Sequence, residues 1–120
     1  MAKSYRDLVA WQKAMGVADI VYTATEDMPR NEMFGLTMQM RRAAVSIASN
    51  IAEGQARYSK REFVHFLRNA RGSLAELETQ VLLAAQLGYL HRSKAEQILK
   101  ATDELNRILA GLIDSMRREE

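Results

Sequence analysis

The sequence predicts an all-α protein, a single up-down antiparallel four-helix bundle over residues 1–120. Three observations predict this fold. Four segments carry apolar residues three or four positions apart, which is the period of an amphipathic helix. The chain has one proline and six glycines, too few breakers for a fold of many short strands. Short connections between the segments make consecutive helices antiparallel neighbours.

Composition indicates one globular domain with a substantial core. The chain has 120 residues, of which 48% are hydrophobic and 27% are charged. The absence of cysteine excludes disulfides, thiolate metal sites and a cysteine nucleophile. The polar N-terminus leads into no apolar run, and no apolar stretch reaches the ~18 residues of a membrane span. We therefore expect a cytoplasmic protein without membrane association.

The first two helices are predicted from their ends. Ser4 begins an S-x-x-D start. An apolar stripe then continues to about Thr25, and its predicted core-facing residues are Leu8, Trp11, Met15, Ala18 and Tyr22. Pro29 cannot continue that helix, and Asn31 is the expected cap of the second. We expect Gly54 to end the second helix, because glycine tolerates the left-handed conformation that a helix end often needs.

The third and fourth helices have S-x-x-E starts. Ser59 and Glu62 form a capping box before the third helix, and Tyr58 and Phe63 occupy the two positions of a hydrophobic staple. A second capping box begins at Ser93 and predicts the start of the fourth helix.

Two helices carry more apolar surface than an isolated bundle needs. Residues 81–85 are apolar around the whole circumference, and residues 108–113 are nearly so. A helix that is apolar on all sides is normally buried on all sides. A thick core at one end of the bundle is one interpretation. We favour a subunit interface, and therefore expect a homo-oligomer.

A line of small and charged residues follows the predicted second helix. The line consists of Arg42, Ser46, Ser49 and Glu53. Small hydroxyl side chains between opposite charges allow close approach and hydrogen bonding between helices. Arg42 and Glu53 are expected to pair directly or across subunits, and Val45 is expected to point away from the core. The predicted structural and interface set is Arg42, Val45, Ser46, Ser49, Asn50 and Glu53.

Positive charge is concentrated in the centre of the chain. Residues 41–71 carry a net charge of +5 in a chain of +2, which leaves −3 for the rest. Arg61, His65 and Arg68 fall on one outward face of the third helix, and no acidic residue lies four positions from either arginine. A solvated face and a phosphate-binding surface both fit this pattern. The predicted nucleic-acid-binding set is Arg41, Arg57, Lys60, Arg61, Arg68 and Arg71.

No motif indicates catalysis. Glu62 and His65 form an E-x-x-H pair of the kind found in di-iron bundles, but those sites need two such pairs and two further glutamates. His65 is predicted to lie opposite the core. Phosphate-loop, zinc-protease and nucleophile-elbow motifs do not occur in the sequence. We expect no enzymatic activity, metal, cofactor or small-molecule substrate, and keep a bundle-core metalloprotein as an alternative.

Several blocks of the sequence resemble one known family. They are Trp11-Gln-Lys-Ala14, Tyr22 to Pro29, Phe34-Gly-Leu36, Gln39 with Arg41-Arg-Ala-Ala-Val-Ser-Ile47, Asn50-Ile-Ala-Glu-Gly54, Glu62-Phe63, Phe66-Leu67, Ala70, Gly72-Ser73, Glu76-Leu-Glu78 and Leu87-Gly-Tyr89. They resemble the "four helix bundle protein" family, relatives of proteins encoded in intervening sequences of bacterial 23S ribosomal RNA. A more distant similarity is to accessory variability determinant proteins of diversity-generating retroelements.

The resemblance implies an up-down bundle that assembles as a homopentameric ring, with nucleic-acid binding proposed and no established catalysis. Two functional hypotheses follow. The first is a non-enzymatic protein that binds RNA or DNA. The second is a structural scaffold that binds a protein partner.

Overall fold

The computed structural model describes residues 4–118 and contains four long helices with no strand in that range. These helices are α1 (Val9–Ala24), α2 (Met38–Ala56), α3 (Lys60–Gln86) and α4 (Arg92–Arg118). Each helix packs against the one before it, and α1 also packs against α4, so the four close around a common core. The all-α helical bundle is confirmed, and the contacts fit the predicted up-down order. The ring assembly stays a prediction.

The core consists of the predicted apolar stripes in α2, α3 and most of α4. The stripe predicted for α1 is wrong, because Met15 and Tyr22 are exposed and the small residues on another face of the helix are buried instead. α1 contributes small side chains such as Ala14 and Val17, while the other three helices contribute larger ones. Burying such apolar area supplies most of the free energy that favours folding. The largest fully buried side chains are Met40, Ile47, Ile51, Leu67, Leu74, Leu77, Ile98, Leu105 and Leu109.

The entry into α2 differs from the prediction. A 3₁₀ turn (Arg30–Glu32) and a π-type turn (Met33–Thr37) lie where Asn31 was expected to cap the helix. Gly35 interrupts the helical backbone with φ −107° and ψ −113°, a conformation open to a residue without a Cβ. The regular α-helix therefore begins only at Met38.

Gly54 does not end α2, so its predicted role is wrong. The helix continues to Ala56, and Gly54 is buried inside it. A Cβ built on Gly54 would lie 2.6 Å from the Cβ of Phe66 and 3.1 Å from Cδ1 of Phe63. Real side chains do not approach that closely, so this glycine allows close packing of α2 against α3.

The start of α3 agrees with the predicted cap but not with the predicted staple. The backbone N–H of Glu62 donates to Ser59 Oγ at 3.3 Å. Phe63 is buried, whereas Tyr58 is 91% exposed and does not pack on it. The backbone of Tyr58 has φ 57°, which turns its side chain away from the core.

The helix caps predicted at Ser4 for α1 and at Ser93 for α4 differ from those in the structure. Ser4 Oγ accepts from the N–H of Arg6 in a 3₁₀ turn, and α1 begins later, at Val9. At the other end, α4 begins at Arg92, and the N–H of Ser93 donates to His91 Nδ1 at 3.1 Å. His91 thus provides the acceptor at a position where Ser93 was predicted to act.

Ion pairs connect the helices at the surface. Lys94 Nζ lies 2.6 Å from Asp27 Oδ2, and its hydrogen bond and charge lower the pKa of Asp27 below its usual value. Lys13 holds the pKa of Glu104 low in the same way, across α1 and α4. Between residues 4 and 118, no helix has the length and apolar character that crossing a bilayer demands.

Candidate nucleic-acid interface

A polar seam joins the middle of α2 to α3. Ser46 Oγ and Ser73 Oγ are 2.9 Å apart, and Asn50 Nδ2 donates to the carbonyl of Ser46 at 2.8 Å and to its hydroxyl at 3.1 Å. These bonds satisfy polar groups that would otherwise be buried without partners. Ser46 and Asn50 thus have structural contacts within one chain.

The predicted pair between Arg42 and Glu53 does not form within the chain. Glu53 instead pairs with Arg57, one turn further along the helix, at 3.0 Å. Eleven residues of helix separate Arg42 from Glu53 by about 16 Å, which is too far for a direct contact. Both residues are exposed, as are Val45 and Ser49, and pairing across subunits stays a prediction.

Arg41 and Arg57, which belong to the predicted nucleic-acid-binding set, are engaged in contacts between helices. Arg41 Nε donates to Thr25 Oγ1 at 2.9 Å, and its guanidinium lies 4.7 Å from the ring centroid of Tyr22. Arg57 pairs with Glu53 and lies 5.2 Å from the ring centroid of Phe66. Both arginines therefore fasten helices together and have fewer donors to offer a ligand.

The outward face of α3 has the predicted placement. Arg61, His65 and Arg68 are all exposed. Neither arginine makes a hydrogen bond or ion pair with another residue in the part of the chain that the structure describes. Lys60 is exposed in the first turn. Among residues 4–118 no group of three or more carboxylate and imidazole side chains is arranged to hold a metal ion.

A groove between α3 and α4 continues this face. It has a volume of about 390 Å³. Arg71 Nε donates to Asn106 Oδ1 at 3.2 Å, which fixes the guanidinium and leaves its other N–H groups for a ligand. No heavy atom lies within 4 Å of a Cβ built on Gly72, so the floor is open. The lining residues are Arg68, Arg71, Gly72, Ala75 and Asn106.

Arg117 is a further exposed cation on this side of α4, and no pattern in the sequence indicated it. It follows Asn106 by eleven residues, or three helical turns plus about 20°, and therefore shares its face of α4. Because α3 and α4 run antiparallel and Arg71 meets Asn106, Arg117 lies level with Arg61. Its side chain is exposed, and it forms no hydrogen bond or ion pair with another described residue. Only the register between helices identifies it.

These residues form what we call the α3–α4 strip, composed of Arg61, Arg68, Arg71, Asn106 and Arg117. From Arg61 to Arg71 it extends about 15 Å along α3. Guanidinium groups stay charged and present N–H pairs that match phosphate oxygens. The acidic residues on the neighbouring surface of α4, Asp103 and Asp114, pair with Arg107 and Arg118. The strip can therefore bind a row of phosphates.

Comparison with known proteins agrees with the resemblance seen in the sequence. A family model described as "23S rRNA-intervening sequence protein" matches residues 6–111. A solved structure of a protein with unknown function from the S23 ribosomal protein family of Bacteroides thetaiotaomicron VPI-5482 has a TM-score of 0.81 and 24% identity. The alignment covers 88% of this chain and 98% of that chain, which shows a shared fold. No curated protein matches.

Proposed function

This chain belongs to the 23S rRNA-intervening sequence protein family, and we propose that it is a cytoplasmic, non-enzymatic, oligomeric bundle that binds RNA or DNA through the α3–α4 strip. One observation carries the proposal. Arg61 and Arg68 are exposed and have no hydrogen-bond or ion-pair partner among residues 4–118, and they lie beside a groove in which Arg71 is held by Asn106. Exposed arginines without partners do not stabilise the folded monomer, so its stability does not explain why they lie in a row.

The strip would bind nucleic acid through its backbone. Arginine–phosphate contacts release condensed counterions, so affinity falls steeply as salt is added. They fix position on the strand but carry no direct sequence information. We therefore expect little sequence preference. One strip gives weak binding, and several strips on one assembly would bind a polymer much more tightly.

Self-association is part of this proposal, because it would bring several strips onto one assembly. Leu83 near the end of α3 and Leu87 directly after that helix are about half exposed, and Phe34 is 85% exposed near the start of α2. A stable interface typically buries about 1,600 Å² in total, and apolar helix faces are suited to supply it. The family resemblance implies a pentamer. Light scattering should give a multiple of 13.6 kDa at micromolar concentration, and a monomer would refute the oligomer.

The test of nucleic-acid binding is the double variant Arg61→Glu/Arg68→Glu. Filter binding with labelled RNA and DNA oligonucleotides at about 50 mM salt should show loss of binding, with an unchanged oligomer mass. The matched control is Arg107→Glu/Arg118→Glu, which makes the same change in charge on the outer face of α4. Equal loss in both variants would contradict a localised site. Absence of binding by the wild type would refute the function.

A protein scaffold is the second candidate. The observation in its favour is the exposed pair Met33 and Phe34, which forms an apolar projection where the chain enters α2. Isolated exposed apolar residues are common, but adjacent large ones are typical of protein contacts. If the wild type binds no oligonucleotide, this alternative replaces the first.

A further inference from the structure

Tyr58 is an exposed aromatic residue that the bundle does not use. Its side chain is 91% exposed, the highest value among the large apolar side chains of residues 4–118. It lies in the connection between α2 and α3, directly before the Ser59 cap. Its ring and hydroxyl have no ring, cation or hydrogen-bond partner among the described residues. Packing therefore does not account for an aromatic residue at this position.

The backbone of Tyr58 has a left-handed conformation that is unusual for an aromatic residue. Its φ of 57° is the only positive value of a non-glycine residue in residues 4–118. A bulky side chain in the left-handed region destabilises the turn, and glycine or asparagine would fit this turn better. Strained positions of this kind are concentrated at functional sites. The turn holds the ring outward at a cost to stability, without a compensating internal contact.

Tyr58 lies in the chain two residues before α3, at the end of that helix where the α3–α4 strip begins. Arg61 follows three residues later in the first turn of α3, and Arg117 lies level with it on α4. Arg57, the preceding residue, packs its guanidinium on Phe66 and does not cover the Tyr58 ring. An aromatic face beside a row of cations is the combination that proteins use to bind single strands.

We propose that Tyr58 is a stacking platform for an unpaired base, so that the α3–α4 strip takes single-stranded nucleic acid in preference to a duplex. This inference rests on the proposed function, because the phosphates must bind the strip for a base to reach Tyr58. A single strand offers free base faces, whereas a duplex has already stacked its bases. The ring adds affinity for bases and the arginines add affinity for phosphates.

The test compares Tyr58→Asn and Tyr58→Phe. Asparagine tolerates the left-handed conformation, so the first variant keeps the turn and removes the ring. Phenylalanine keeps the ring and serves as the matched control. Three probes of equal length are used, namely a uracil oligonucleotide, an abasic strand with the same phosphates, and a duplex. Titration at several salt concentrations gives the affinity and its salt dependence, and light scattering gives the mass.

Stacking predicts that Tyr58→Asn weakens binding of the uracil strand about 5- to 100-fold. Binding of the abasic strand and the duplex should change less than twofold, and the salt dependence should stay the same because the ring is uncharged. Tyr58→Phe should resemble the wild type. Equal effects on the uracil and abasic strands, or a change in mass, would overturn the inference and leave the proposed function standing. A wild type that binds none of the probes would overturn both.

Discussion

Arg117 provides the sharpest test of the strip, because its role follows only from the packing of α4 on α3. The change is Arg117→Gln, which removes one charge and keeps a side chain of similar length. The matched control is Arg118→Gln, at the next position, where the arginine pairs with Asp114 at 3.5 Å and points elsewhere. Both variants make the same change in net charge at the same end of one helix.

The expected magnitude follows from counterion release. Each phosphate contact contributes about 0.7 to the slope of log affinity against log salt on a single strand. For each subunit that is bound to the strand, loss of one phosphate contact should therefore lower the affinity about eightfold at 50 mM salt and about fourfold at 150 mM. The slope itself should fall by about 0.7. Arg118→Gln should change affinity less than twofold.

Fluorescence anisotropy with a labelled single-stranded oligonucleotide, at four or more salt concentrations, measures both quantities. Thermal unfolding is the accompanying control, since Arg117 is exposed and its substitution should change stability by less than about 0.5 kcal/mol. Equal effects of the two substitutions would show that binding responds to net charge alone. The assignment of Arg117 to the α3–α4 strip would then be wrong.

Two further predictions concern packing and assembly. Gly54→Ala should lower the melting temperature by about 4 to 12 °C, because its Cβ would meet Phe66. The control Gly111→Ala, where the Cβ has open space, should raise the melting temperature slightly. Equal melting temperatures of the two variants would contradict the close approach of α2 and α3. Leu83→Lys/Leu87→Lys should reduce the oligomer mass measured by light scattering, because burying two new charges in an interface is costly, and an unchanged mass would place the interface elsewhere.

Local signals predicted the fold well because they act within one helix. The apolar stripes identified the core of α2, α3 and most of α4, and the Ser59 cap was found from its own sequence pattern. The prediction was wrong in α1, where the large apolar side chains lie at the edge of the core and small ones such as Ala14 face it. The role of Gly54 could not be found in this way, since a glycine near a predicted helix end has the composition of a stop. Its neighbours Phe63 and Phe66 belong to the next helix, and only the packing brings them close.

The contacts of the arginines likewise divide into those within one helix and those that depend on packing between helices. The pair of Arg57 with Glu53 has i, i+4 spacing and could have been found from the sequence. The contacts of Arg41 with Thr25 and Tyr22 depend on the packing of α2 against α1, which a count of charges does not include. A basic segment therefore overstates the charge that is available to a partner, and tertiary contacts decide which cations remain.

The two surfaces in the proposal occupy different parts of α3, which makes them separable by experiment. The strip uses Arg61 to Arg71, whereas Leu83 lies at the other end of the helix and Leu87 directly follows that end. Twelve residues between Arg71 and Leu83 correspond to about 18 Å, in a bundle 46 Å long. An assembly through the apolar end would therefore leave the strip of every subunit open to a strand. Substitutions in the strip should change binding without changing mass, and substitutions at the apolar end should change mass first. Binding would then weaken only because fewer strips engage the same strand.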